Sequence, residues 1–121
     1  MAGIKGAERA RRHIKGAVIG GVVIEGEASL KVIGSGKSLQ LCELHIKKGY
    51  YHPLHDHPEH ESIGFVISGL MQMQIGDEVY DLGPGDGWHH PIGVRHSTRA
   101  LEDSHVVEAH TPLRSEYLPE D

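Results

Sequence analysis

Short apolar runs separated by turn residues recur along the chain, and they predict strands rather than helices. Between positions 70 and 75, Met71, Met73 and Ile75 alternate with glutamines, as expected of a strand with one buried face. Gly76-Asp77 then marks a two-residue hairpin, because glycine supplies the positive φ that such a turn requires. Similar runs occupy residues 17–24, 29–33, 38–46, 63–67, 78–82, 87–90, 94–98 and 104–109. The pattern predicts an all-β sandwich or barrel of short strands.

Length and composition limit the class of protein further. The chain has 121 residues, of which 38% are hydrophobic and 24% charged, which is typical of one globular domain. Its 16 glycines and 6 prolines agree with many tight turns. The net charge of −5 argues against a nucleic-acid partner, since such proteins normally carry a basic surface. No run approaches the roughly 20 apolar residues that span a bilayer, so we expect no membrane partner.

The first sixteen residues differ from the rest because basic side chains are concentrated there (Lys5, Arg9, Arg11, Arg12 and Lys15). We predict a basic N-terminal arm at residues 1–16 and a β-barrel domain at residues 17–121. The apolar run 17–24 is short, is followed at once by Glu25 and Glu27, and lacks a cleavage motif. It therefore predicts a first strand rather than a signal peptide, and a cytoplasmic location. The single cysteine, Cys42, cannot form an internal disulfide.

Eleven histidines stand out from an otherwise ordinary composition and suggest metal or acid–base chemistry. His55 and His57 are two residues apart, so on a strand both imidazoles would point to the same face. Neutral imidazole is a good ligand for transition metals such as zinc, iron, nickel and copper. Alone, the pair is a weak signal, because histidines also cluster on protein surfaces, so partners from other strands must decide between a metal site and a surface cluster.

The remaining histidines carry weaker expectations. His52 and His60 flank the pair in turn-like sequence, where exposure to solvent is the simpler expectation. His13 and His45 have no partner in the sequence and are expected at the surface. His89 and His90 are adjacent, so at most one of them can face the interior. Trp88 is expected in the core.

Two motifs in the chain resemble those of the cupin superfamily, in particular its small single-domain members. The first, G-x5-H-x-H-x(3–4)-E-x6-G, is matched by Gly49, His55, His57 and Gly69. The second, G-x5-P-x-G-x2-H, is matched by Gly85, Pro91, Gly93 and His96. The resemblance implies a double-stranded β-helix, or jelly-roll, barrel that forms a homodimer. It also implies one bound divalent transition metal. Imidazole ligands do not decide its identity, which can be Zn, Ni, Mn or Fe.

The metal ligands that this resemblance implies are His55, His57 and His96. The family's glutamate position falls on Ser62, which makes Ser62 a weak fourth ligand. Glu61 is one residue short, and a shift of one residue turns a strand side chain to the opposite face unless a bulge corrects it. Three protein ligands with open positions suit a catalytic metal, whereas a structural zinc site is closed by four. A metal-free pocket, in which the histidines bond to one another, is the alternative.

The C-terminal sequence is similar to that of cupins that linearise 4,5-unsaturated uronates in pectin and alginate breakdown. The similarity rests on Glu108, Pro112, Arg114, Glu116 and Tyr117, with His110 at a position where those cupins usually have phenylalanine. It implies two catalytic residues, Glu108 as a general acid or base and Arg114 as a carboxylate-binding group. Glu108 and His110 have the same parity and would share one strand face. His110, His90 and Glu61 are further candidates for the substrate pocket.

The function implied by these resemblances is that of an isomerase or lyase-type enzyme acting on a small carboxylate or sugar acid. A divalent metal would act as the Lewis acid. Two other classes stay open at this point. One is a metal-dependent dioxygenase with a three-histidine site, and the other is a non-catalytic cupin that binds a small ligand.

Overall fold

The computed structural model describes residues 3–16, 18–19, 22–56 and 59–112. In these residues strands predominate, and one short 3-10 turn at Gly6–Glu8 is the only helical element. The first strands are β1 (Arg12–Lys15), β2 (Val18–Ile19), β3 (Val22–Val23), β4 (Glu27–Ser35), β5 (Gln40–Ile46) and β6 (Tyr51–His55). The later ones are β7 (Glu61–Ser68), β8 (Met71–Ile75), β9 (Glu78–Leu82), β10 (Gly87–His90), β11 (His96–Ala100) and β12 (Ser104–Thr111). The all-β prediction is confirmed.

The strands form two main antiparallel sheets. The larger has six strands in the order β1-β4-β5-β12-β7-β10, and the smaller has four in the order β6-β11-β8-β9. A separate two-stranded ribbon joins β2 and β3. Strands that are distant in sequence, such as β5 and β12 or β6 and β11, are neighbours in these sheets. Two antiparallel sheets joined by such long connections are the predicted jelly-roll. No helix in the described part of the chain is long and apolar enough to cross a membrane.

The hydrophobic core lies between the two sheets and draws side chains from both. Val66 and Val106 of the larger sheet are 0% and 1% exposed, and Met71 and Met73 of the smaller sheet are 0% and 2% exposed. All four belong to one contiguous cluster of buried side chains. The alternation of apolar residues along strands such as β8 therefore places apolar side chains between the sheets, as a period of two requires.

Three segments differ from the strands that the apolar runs predict. Residues 12–15, inside the predicted arm, pair with β4 as β1, where Ile14 packs against the core. β6 contains Pro53 and two histidines in place of an apolar run, and it pairs with β11. The run 17–24 contains the short β2–β3 pair instead of one continuous strand. The Gly76-Asp77 hairpin between β8 and β9 is present as predicted, with Gly76 at φ 60°.

Gly64 makes room for the only tryptophan. It lies opposite Trp88 in the β7–β10 pair, and a Cβ atom at position 64 would lie 2.0 Å from Cζ2 of the indole ring. Any larger side chain must therefore displace Trp88, which is buried in the core as expected. Position 64 is thus a steric requirement of the barrel interior.

We predict that Gly64→Ala lowers the free energy of unfolding by about 1–3 kcal/mol, the usual cost of overpacking a core. The emission of Trp88, the only tryptophan in the sequence, should shift because the ring must move. Urea unfolding followed by circular dichroism, with fluorescence of the native state, measures both effects. Gly83→Ala is the control, because a Cβ there meets no atom closer than 4.0 Å. Unchanged stability and emission would contradict this account of Gly64.

Candidate functional site

A cavity of about 80 Å3 opens into the barrel and collects most of the buried histidines. By this measure a water molecule needs about 10–15 Å3, so the volume suits a small ligand rather than a polymer. Six imidazoles contribute to its wall: His52, His55, His60, His90, His96 and His110. Apolar side chains complete much of the lining, among them Leu30, Leu44, Ile46, Met71, Met73 and Val106. Apolar walls with a few convergent polar groups are typical of small-molecule sites.

His55 and His96 lie on neighbouring strands of the smaller sheet and face each other in the cavity. They are paired in the β6–β11 register, and their ring centroids are 4.3 Å apart in an edge-to-face arrangement. The Nδ1 atom of His55 is 2.7 Å from the carbonyl oxygen of Pro53, and that of His96 is 3.2 Å from the carbonyl oxygen of Val94.

These contacts determine which ring nitrogen carries the proton. A carbonyl oxygen only accepts, so Nδ1 must be the protonated nitrogen in both His55 and His96. Nε2 is then the atom with a lone pair for a metal, and the backbone carbonyls supply the outer hydrogen bonds that metal-ligating histidines normally make. The donor set therefore fits a divalent transition metal.

Two residues predicted for the site, His57 and Arg114, lie outside the described residues. His55 is the last residue of β6 in the described part of the chain. The third metal ligand and the carboxylate-binding arginine therefore stay predictions of the sequence.

Glu61 and Ser62 are adjacent on β7, so their side chains point to opposite faces of the strand and have different surroundings. Ser62 is buried, and its Oγ atom is 3.2 Å from Nδ1 of His90. Glu61 borders the cavity, but a carboxylate oxygen lies 2.7 Å from Nε2 of His89, where both side chains are exposed. Of the adjacent histidines, His90 alone faces inward, as expected. The serine in place of the family's glutamate thus bonds to a neighbouring imidazole.

Glu108 and His110 form a hydrogen-bonded pair on the inner face of β12. One carboxylate oxygen of Glu108 accepts from Nε2 of His110, and the other accepts from the indole N–H of Trp88 at 3.0 Å. Nδ1 of His110 is in turn 3.9 Å from the buried Sγ of Cys42. Both residues line the cavity, so the shared strand face that their parity predicts is observed.

The environment of Glu108 keeps its carboxylate ionised. Burial alone would raise its pKa, but the hydrogen bond and charge of His110, the charge of His90 and the Trp88 N–H together lower that pKa from 4.5 to about 2. A general acid that works near neutral pH needs a raised pKa, so Glu108 does not meet that requirement by itself. Near neutral pH it is a proton acceptor, and the N–H of His110 is the neighbouring donor.

The expectation that His52 is exposed is wrong. His52 is only 9% exposed and stacks on His55, with ring centroids 3.6 Å apart and planes within 7°. It is buried because residues 51–55 form a strand of the smaller sheet, which the polar sequence around Pro53 did not indicate. His60 also borders the cavity. The site therefore holds more imidazoles than the two sequence motifs identify.

A second His/Glu group lies on the opposite face of the larger sheet. Among the described residues, the possible ligand atoms of Glu43, His45 and His105 lie within 4.8 Å of one another. Burial lowers the pKa of His45. Burial alone would raise the pKa of Glu43, but the hydrogen bond and charge of Arg11, together with the charges of His45 and His105, lower it. His45 is exposed as expected, but its neighbours on β5 and β12 were not anticipated.

Comparisons with known proteins agree with this fold. A family model described as a cupin domain, Cupin_2, matches residues 42–110. Dimethylsulfoniopropionate lyase DddQ of Ruegeria pomeroyi is 32% identical over 98 residues, which cover 76% of this chain and 48% of that protein. Oxalate decarboxylase OxdC of Bacillus subtilis is 32% identical over 82 residues, which cover 64% of this chain and 21% of that protein. The chain thus spans about half the length of the lyase and about a fifth of the decarboxylase.

Among solved structures, KdgF from Halomonas sp. has the same architecture. The two superpose with a TM-score of 0.81 and 23% sequence identity, covering 98% of this chain and 99% of KdgF. This likeness is one of fold.

The lowered pKa of Glu108 predicts a specific acid sensitivity. The ionised carboxylate stabilises the folded state fully above pH 4.5, and this stabilisation is lost as the pH falls toward about 2. Glu108→Gln should remove that part of the pH dependence, measured by urea unfolding from pH 5 to pH 2 with circular dichroism. Glu102→Gln, an exposed turn residue, is the matched control and should behave like the wild type. If the free energy of unfolding of Glu108→Gln falls with pH in parallel with that of the wild type, the lowered pKa of Glu108 is refuted.

Proposed function

The chain belongs to the cupin family, and we propose that it is a metal-dependent enzyme of the isomerase or lyase type acting on a small carboxylate. The observation that carries the proposal is one cavity lined both by His55 and His96, whose Nδ1 atoms bond to backbone carbonyls, and by the hydrogen-bonded pair of Glu108 and His110. The imidazoles that we propose as metal ligands and the pair that we propose for proton transfer thus border the same small space.

His55, His57 and His96 would hold one divalent ion, either Zn, Ni, Mn or Fe, and Ser62 would be at most a weak fourth ligand. When bound, such an ion supplies Lewis acidity toward a substrate oxygen. The two described imidazoles are already oriented by backbone carbonyls, so little side-chain freedom is lost on binding.

Proton transfer is assigned to Glu108 and His110. The Glu108 carboxylate is ionised near neutral pH and would accept a proton from a carbon or hydroxyl of the substrate. His110 would give its Nε2 proton to the product and take up the proton that Glu108 has gained, so that both groups return to their starting states. Trp88 holds the second carboxylate oxygen and keeps the group directed into the cavity.

The substrate we propose is a sugar acid of the unsaturated uronate type. Support comes from the C-terminal sequence, in which Arg114 would hold a substrate carboxylate by paired N–H donors. The names of both curated relatives, dimethylsulfoniopropionate lyase and oxalate decarboxylase, also specify carboxylate substrates. Dioxygenase activity and non-catalytic ligand binding are the alternatives, and metal identity and turnover distinguish them.

A homodimer is part of the proposal, whereas the cytoplasmic location stays a prediction of the sequence. The outer face of β7 supports association of two copies, because Ile63, Phe65 and Ile67 are 44–58% exposed there. Three large apolar side chains in one row on a sheet are more typical of a contact surface than of a solvated one.

Metal content tests the cavity site directly. We expect untagged protein to contain a divalent transition metal by inductively coupled plasma mass spectrometry, and His96→Ala to lose about one equivalent. His89→Ala is the control, because His89 is exposed on the outer face. If His96→Ala keeps the full metal content of the wild type, the cavity histidines are not the ligands. Iron alone would favour the dioxygenase alternative.

Turnover tests the roles of Glu108 and Arg114. With a 4,5-unsaturated uronate as substrate, we expect loss of the ultraviolet absorbance of its double bond. Glu108→Gln should lower kcat by about 100-fold or more, the usual effect of removing an acid–base group. Arg114→Ala should mainly raise KM, and Glu102→Gln should leave both constants unchanged. Metal-loaded protein without turnover of any unsaturated uronate would reject this substrate class.

A further inference from the structure

The outer face of the larger sheet brings together two imidazoles and a carboxylate that the proposed function does not use. Glu43 and His45 are two residues apart on β5, so their side chains leave the same face. His105 on β12 lies directly opposite His45 in the antiparallel register. Inward-facing Cys42 is completely buried at the adjacent position, so the group lies on the side of the sheet away from the cavity.

We propose that Glu43, His45 and His105 form a second binding site for a divalent transition metal, separate from the site in the cavity. Two imidazole nitrogens and one carboxylate oxygen are a donor set that zinc accepts, with water as the fourth ligand. The proposal does not depend on the substrate or reaction of the cavity.

The distances agree with a tetrahedral site. Zinc bonds of about 2.0–2.1 Å require neighbouring ligand atoms to be about 3.4 Å apart. One oxygen of Glu43 lies 3.4 Å from Nε2 of His45 and 3.7 Å from Nε2 of His105. The two rings are stacked with centroids 4.3 Å apart and planes within 12°. The lone pair of an imidazole lies in the plane of its ring, so binding one ion requires the two rings to turn out of this stack.

A buried nitrogen provides a second, independent observation. Nε2 of His105 is buried and makes no hydrogen bond to any residue in the described part of the chain. A buried polar atom without a hydrogen bond is costly, and a bound ion removes the cost by accepting the lone pair. The same nitrogen is the one that faces the shared Glu43 oxygen.

Arg11 competes with a metal at this site. Its Nη2 atom donates to both carboxylate oxygens of Glu43 at 2.8 and 2.9 Å, and Nη1 donates to Ser29. A metal on the shared oxygen would leave Arg11 its contacts with the other oxygen and with Ser29. The positive guanidinium should still weaken cation binding, so removing it should tighten the site.

Zinc titration of variants in a His96→Ala background tests this site, because that substitution removes a cavity ligand. Isothermal titration calorimetry should find about one Zn2+ equivalent with His96→Ala. Adding His45→Ala or His105→Ala should weaken this binding more than about tenfold, because even the loss of a group that only orients a metal ligand typically costs about 10–100-fold in affinity. Adding Arg11→Ala should instead strengthen it. Adding His89→Ala, which removes an exposed imidazole bonded to one carboxylate, should change nothing.

Two results would overturn the site. One is a His96→Ala protein that binds no zinc. The other is zinc affinity that neither His45→Ala nor His105→Ala changes. If His96→Ala fails to fold, His45→Ala in the wild-type chain tests the same site. It should lower the zinc stoichiometry by one equivalent, and an unchanged stoichiometry would overturn the proposal.

Discussion

The interior of this barrel depends on stabilising one largely buried carboxylate, that of Glu108, whose side chain is 19% exposed. Burying the charge of Glu108 is costly unless hydrogen bonds compensate it, and two N–H groups, from Trp88 and His110, do so. Each of these two side chains needs space or a further partner in its surroundings. The indole fits because residue 64 has no side chain, and the imidazole is positioned between Glu108 and the thiol of Cys42. Residues on strands β5, β7, β10 and β12 are therefore constrained together, and changing one of them affects the others.

Local alternation made much of the architecture predictable from sequence. The apolar positions of β8 face the core, and the glycine turn after it forms the expected hairpin. Strands β1 and β6 could not be predicted in this way, because they carry basic residues, histidines and a proline. They are strands because a neighbour pairs with them, and such pairing over a long sequence distance leaves no periodic signal.

The candidate site was predictable where two motifs supply its residues, and less so elsewhere. The H-x-H spacing and the position of His96 identified imidazoles, of which the structure brings His55 and His96 together. The burial of His52 follows from the pairing of β6, which the sequence concealed. The meeting of His45 and His105 depends on the register between β5 and β12, and residues 60 positions apart reveal no such contact by spacing alone. The lowered pKa of Glu108 likewise depends partly on Trp88 and His90, which lie on a different strand, β10.

The rings of His55 and His96 are oriented by the same kind of local hydrogen bond, and this has an evolutionary consequence. Each imidazole donates to the carbonyl oxygen two residues earlier in its own chain segment, at Pro53 and at Val94. The orientation of each ring is therefore set within a three-residue unit, and the acceptor is a backbone atom that substitution does not remove. Of the other strands, β10 contributes His90, whose ring stacks on that of His96 with centroids 3.8 Å apart, so residue 90 is constrained together with these rings. Such a scaffold can acquire new substrates through changes around the cavity while the geometry of these imidazoles is inherited intact.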